Sequence, residues 1–164
     1  MSRWRPPSPT SSPYITPEGY QRLESELSSL WIRRREVTKA LAAASAEGDR
    51  SENAEYIYRK KELREIDRRI RYLQTRMPKL KIVSEVGDRN RIFFGAIVTL
   101  ENETGEENTY RIVGADEIDP DKNYISIDSP MSKALLGKSL DDEVMVKTEG
   151  TVMRYAIMTI KYKD

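Results

Sequence analysis

Gly48-Asp49-Arg50-Ser51-Glu52-Asn53-Ala54-Glu55-Tyr56 separates two long segments of one shared periodicity. Before it, Tyr20, Leu23, Leu27, Leu30, Arg34, Val37, Leu41 and Ala44 follow one another at alternating steps of three and four. After it, Tyr56, Arg59, Leu63, Ile66, Ile70, Leu73, Met77 and Leu80 do the same. Such steps gather side chains into a narrow stripe along a helix, the pattern of a coiled-coil seam. Thr16-Pro17-Glu18 reads as the first helix's start, with Thr16 as N-cap, Pro17 at the first helical position and an acid in the first turn. Pro78 closes the second, because a proline inside a helix removes a backbone donor and costs about 3 kcal/mol. Two stripes joined by a glycine-containing break are both buried if the chain folds back on itself. The sequence therefore predicts an antiparallel two-helix coiled-coil hairpin over residues 14–80, its arms about 26–30 residues and roughly 40 Å long. Helices laid on a globular body, or a coiled coil between chains, are the alternatives; the narrow stripe argues against the first and the Gly48 break against the second.

The acids of the break have two readings. Asp49-x-x-Glu52 has the spacing of a capping box, in which Asp49 accepts from the start of the second helix and Glu52 reaches back. The same carboxylates are also hard oxygen donors, and Mg²⁺ is commonly held by one or two carboxylates together with waters and phosphates. Two carboxylates are too few for a tight private site. They suffice to complete a site whose other ligands belong to a partner, as in two-metal phosphoryl chemistry.

Beyond the break the charge becomes lopsided. Arg59, Lys60, Lys61, Arg64, Arg68, Arg69, Arg71 and Arg76 face only Glu62, Glu65 and Asp67. Lys61, Arg64, Arg68 and Arg71 step three and four and so share one helix face. A solvated surface with helix ion pairs such as Lys61–Glu65 is the plain reading. A positive stripe leading from an acidic tip is also what would follow a nucleic-acid phosphate backbone.

Composition narrows the chemistry. The 164-residue chain has no cysteine and no histidine, so a thiolate nucleophile, a disulfide framework and the usual zinc ligands are excluded. Charged residues are 34% of the chain, high for one compact globule and ordinary for an exposed hairpin, while the net charge of +1 names no partner by itself. No apolar run approaches the roughly 20 residues of a membrane span, and the start lacks a signal-peptide apolar core. A soluble, cytoplasmic protein is expected.

Residues 1–13, rich in proline and serine, cannot build a core and are expected to be a disordered tail. From Lys81 the pattern changes to short alternating strands, at Lys81–Val86, Ile92–Glu101, Tyr110–Ala115, Tyr124–Ile127, Val144–Lys147 and Val152–Lys163, with a brief helix around Pro130–Leu136. Residues 81–164 are thus expected to form an antiparallel sheet carrying one helix, which makes the whole chain α+β. Gly137-Lys138-Ser139 is not a P-loop: the motif needs glycine where Ser132 stands, and it follows a helix rather than a strand.

The tip stretch, the hairpin around it and Ile125-Ser126-Ile127-Asp128-Ser129-Pro130 together resemble the bacterial Gre transcript-cleavage factors, over the chain from about Tyr14 to its end. Arg50-Ser51 and the arm Arg59-Lys60-Lys61-x-Leu63-Arg64-Glu65-Ile66-Asp67-Arg68-Arg69 look like the B-type branch of that family. The resemblance implies a transcription elongation factor whose hairpin enters the RNA polymerase secondary channel. There Asp49 and Glu52 would help hold a weakly bound Mg²⁺ shared with polymerase, whose own site then hydrolyses backtracked RNA. It implies that the basic arm, including Arg59, Lys60, Lys61, Arg64 and Arg68, lies along the extruded RNA 3′ end. It implies too that an FKBP-like carboxy-terminal domain contacts polymerase around Asp128, Ser129 and Pro130. Such a chain is an accessory factor rather than a free-standing enzyme, and a monomer is expected. A Gre-shaped inhibitor that occupies the channel without cleavage is the rival reading; a prolyl isomerase is a more distant one.

Overall fold

The computed structural model describes residues 4–8, 10–47 and 53–163. They group into two units, one made of residues 1–19 with 80–164 and the other of residues 20–79. The sequence reading set the hairpin apart from Tyr14 onward, yet Tyr14–Gly19 belong with the sheet unit. The cause is local: β1 (Tyr14–Ile15) pairs in parallel with β2 (Lys81–Ile82). Lys81 N–H donates to Pro13 O at 2.7 Å and Val83 N–H to Ile15 O at 2.9 Å. The chain entering the helix pair is stitched to the chain leaving it.

In the unit of residues 20–79, α1 (Pro17–Ser45) and α2 (Ala54–Arg76) run antiparallel. Their direction follows from cross-helix pairs: Glu26 meets Arg69, Arg34 meets Asp67, and Ala44 near the end of α1 meets Asn53 at the start of α2. Every residue of both expected seams is buried or half-buried. Val37, Ile66 and Ile70 form the centre, with Leu27, Leu30 and Leu63 against them. Burying one such side chain contributes about 1.5–3 kcal/mol, so the seam outweighs any exposed ion pair beside it. Arg34, the one charged member of the first seam, turns its guanidinium to Asp67 at 2.6 Å. A turn of 3₁₀ helix at Met77–Lys79 ends the arm where Pro78 requires it.

The other unit is built on a five-stranded sheet, ordered β5-β4-β3-β7-β6. Its strands are β3 (Ile97–Asn102), β4 (Glu107–Val113), β5 (Tyr124–Ser126), β6 (Glu143–Thr148) and β7 (Thr151–Lys161), with α3 (Pro130–Leu135) between β5 and β6. The sheet is mixed rather than antiparallel as expected, because β4 and β5 are parallel. Residues 114–123 make the difference: they form a return connection, not a hairpin, with a 3₁₀ turn at Pro120–Lys122 and Asn123 in the left-handed region at φ 57°. Tyr124 therefore enters alongside Arg111 in the same direction.

Strand bounds shift from expectation by one to three residues in β4 to β7, and by more in two places. β2 is only Lys81–Ile82, and Ile92–Ala96 precedes β3 as a loop. Ile92 is nevertheless fully buried, so its apolar character reflects the core and not a strand. β6 and β7 join through Glu149 (φ 41°) and Gly150 (φ 81°), a pair of positive dihedrals that suits a two-residue hairpin. The core comprises Ile92, Ala96, Val98, Leu100, Ile112, Leu135, Val144 and Ile157, with Leu135 contributed by α3. Ser132 is also fully buried on α3 and donates its hydroxyl to Ser126 O at 2.6 Å, so this position anchors the helix and leaves no room for a phosphate loop.

Candidate functional site

Asp49 and Glu52 lie outside the described residues, as does Arg50-Ser51. The residues on either side of them are defined. α1 ends at Ser45 and α2 begins at Ala54. The N-cap of α2 is Asn53; the capping box expected at Asp49 and Glu52 falls on residues outside those described. Asn53 Oδ1 accepts from Tyr56 N–H at 3.0 Å, and Asn53 Nδ2 donates to Ala44 O at 2.7 Å. One amide thus satisfies an orphan donor at the start of α2 and gives Ala44 O, which also accepts from Glu47 N–H at 3.2 Å, a second partner at the end of α1.

Two acids of α2, Glu62 and Asp67, are engaged by arginines of α1, while Glu65 stays exposed. Glu62 receives Arg33 of α1 at 2.8 Å and Arg59 at 2.9 Å, and Asp67 receives Arg34. Partial burial pushes the Glu62 carboxyl upward, but the bonds from Arg33 and Arg59 outweigh it and hold its pKa below the ordinary value. The expected Lys61–Glu65 pair does not form. Lys61, Arg64 and Arg71 are exposed and make no ion pair among the described residues, and Arg68 is exposed beside them on the same face. Lys60 sits 5.7 Å from the Tyr56 ring. Arg59, grouped with these cations in the sequence, is instead clamped between Glu55 at 2.8 Å and Glu62 at 2.9 Å. Arg69 is likewise taken up by Glu26 of α1, at 2.6 Å.

In the sheet unit, Asp128, Ser129 and Pro130 form the entry to α3. Ser129 caps the helix by accepting from Ser132 N–H at 3.1 Å, and Pro130 follows, exposed, at its first turn. Asp128 accepts from both the backbone N–H (2.9 Å) and the hydroxyl of Ser12. The tail expected to be disordered is therefore tied down near its end.

Sequence reasoning missed Glu117. Its carboxylate is buried and accepts from Thr16 N–H at 3.0 Å, from the Thr16 hydroxyl and from Gly114 N–H at 2.8 Å. Thr16 Oγ1 in turn accepts from Gly19 N–H at 3.0 Å, confirming it as the N-cap of α1. A Cβ on Gly19 would lie 2.0 Å from Glu117 Oε1, so glycine is what admits the carboxylate. Nothing near residue 117 signals this, because the partner is 101 residues away. Asn53 did carry a signal, a favoured cap residue directly before a helical run, but the Asp49-x-x-Glu52 spacing offered a competing register.

Two family models match the chain. One, described as "Transcription elongation factor, N-terminal", covers residues 13–82; the other, "Transcription elongation factor, GreA/GreB, C-term", covers residues 87–162. The chain belongs to the GreA/GreB family of transcription elongation factors. Transcription elongation factor GreB of Pseudomonas aeruginosa is 56% identical over 164 residues, covering 99% of this chain and 98% of that one. GreB of Xanthomonas axonopodis pv. citri is 53% identical over 165 residues, again covering 99% and 98%. Among solved structures, Thermus aquaticus Gfh1 is 29% identical, covers 92% of this chain and 99% of its own, and superposes with a TM-score of 0.43. In this Gre-family chain no helix among the described residues is long and apolar enough to cross a membrane.

Proposed function

We propose that this chain binds RNA polymerase halted on backtracked RNA and stimulates hydrolytic cleavage of the extruded transcript, with Asp49 and Glu52 supplying oxygen ligands to a Mg²⁺ ion shared with the polymerase active site. The observation that carries the reading is the basic outer face of α2. Lys61, Arg64 and Arg71 stand without acid partners among the described residues, on the helix that begins directly after the acid-bearing connection. Charges left unneutralised by their own protein are available to phosphates, which release counterions on binding. The donor set of two carboxylates suits Mg²⁺. When bound, the ion supplies the Lewis acidity that activates water for in-line phosphodiester hydrolysis; the chain's part is to present the oxygens and to hold the RNA. With only a share of one metal site, it acts as an accessory factor, as a monomer and in the cytoplasm. Asp128, Ser129 and Pro130 are assigned to the polymerase interface, and Lys60, Lys61, Arg64 and Arg68 to the RNA, with Arg59 joining them only if it leaves Glu55 and Glu62.

The test uses purified backtracked elongation complexes. Asp49→Ala and Glu52→Ala are each expected to reduce cleavage to the factor-free rate while binding to polymerase persists. Undiminished cleavage with both variants would falsify the ligand role.

A further inference from the structure

The first turn of α2 leaves two large apolar side chains in solvent, with no seam position to justify them. Ile57 is 52% exposed and Tyr58 59% exposed. Ile57 stands at the head of the basic row, since residues 57, 61, 64, 68 and 71 recur at steps of four and three. Tyr58 borders that row. Arg59 holds its guanidinium 5.3 Å from the centre of the Tyr58 ring, and it is kept there by Glu55 and Glu62. A clamped cation beside an aromatic ring makes a preorganised platform, and the phenol itself has no hydrogen-bond partner among the described residues. Beside Lys61 and Arg64, which have no acid partner among the described residues, the complementary ligand is a polyanion that also carries flat apolar faces.

We infer that Tyr58, backed by Arg59, is a stacking site for a nucleobase of single-stranded RNA whose phosphates follow the basic face of α2. This rests on the cleavage reading above and names what that face holds besides phosphate. Stacking tolerates any base, because every base offers a π-face, so the site adds affinity and register without sequence preference. The ring fixes the position of one nucleotide, and the cations along the row hold those that follow.

Cleavage is measured at subsaturating factor on backtracked complexes assembled with synthetic RNA, in two forms: one with normal extruded nucleotides and one with those nucleotides abasic. On normal RNA, Tyr58→Ala is expected to slow cleavage roughly five-fold or more, the size of one missing base–aromatic stack. Tyr58→Phe, which keeps the ring, should stay close to the parent. On abasic RNA the parent and Tyr58→Ala should coincide. Equal rates on normal RNA overturn the inference. So does an equal defect on both RNAs, which would assign the ring to a protein surface. If the parent accelerates neither substrate, the cleavage reading itself has failed, and this inference goes with it. Ala at this exposed helical position favours the helix, so misfolding does not confound the comparison.

Discussion

On the side of α2 turned toward α1, Glu62 and Asp67 are each taken up by arginines of the neighbouring helix; on the side turned away, Lys61, Arg64 and Arg71 pair with no acid among the described residues. The two faces are made from the same few residue types within one helix. Their difference lies in where the acids stand relative to the seam. Flanking acids find cross-helix partners and tighten the hairpin, and the outward cations are left with nothing of their own to neutralise. Outward cations without acid partners among the described residues fit the anionic partner proposed above.

The strongest way to break the inner face is through its apolar stripe. Ile70 is 4% exposed, and Ile70→Ala is expected to destabilise the helix pair by about 2–5 kcal/mol, through reduced burial and the cavity left behind. Denaturant unfolding followed by helical circular dichroism measures it. A decrease under about 1 kcal/mol would mean that the seam is looser than its burial indicates.

A smaller effect belongs to the ionic flank. The Glu62 pKa is lower folded than its ordinary 4.5, so the stability contributed by Arg33 and Arg59 is fully present above that value and is lost as pH falls through the folded one. Thermal midpoints recorded from neutral pH downward should decline in the acid range, and Glu62→Gln should flatten part of that decline. Glu18 beside Arg111 behaves in the same sense: burial pushes its pKa up, but its own backbone N–H and then Arg111 outweigh it and hold the carboxyl low.

The outer face should contribute least to folding. Alanine at Lys61, Arg64 or Arg71 is expected to change stability by no more than about 0.5 kcal/mol each. The same substitutions should lower the salt dependence of RNA-dependent cleavage, by about 0.7 in the log–log slope for each phosphate left without its cation. Unchanged slopes with all three replaced would remove the phosphate-binding role and leave the charge separation unexplained.

The hairpin was legible because its information is local. Steps of three and four in Leu23, Leu27, Leu30 and again in Leu63, Ile66, Ile70 need no knowledge of the rest of the chain. The same holds for Thr16-Pro17 and for the turn at Glu149-Gly150, where the residue types themselves fix the backbone. What escaped is what depends on distant partners. The parallel alignment of β5 with β4 is decided by the length and path of residues 114–123, not by the alternation of either strand. Ile92 looked like a strand residue because a buried loop and a buried strand place the same demand on one side chain. Charge counting found the basic arm, but only the cross-helix geometry separates Arg59 and Arg69, already engaged, from Lys61 and Arg64. As for the acid pair, sequence spacing offers two roles, and Asp49 and Glu52 lie outside the described residues.

Glu117 has a bearing on how the molecule is made. A ribosome delivers α1 and α2 early, and their seam can zip from neighbouring turns as soon as both have emerged. The first turn of α1 has to wait, since the carboxylate that satisfies Thr16 is translated 101 residues later, and the Tyr14–Lys81 pairing also needs the whole hairpin to have been synthesised. The helical pair is therefore expected to be born with an open root, which closes only when the second domain condenses around Gly114 and Glu117.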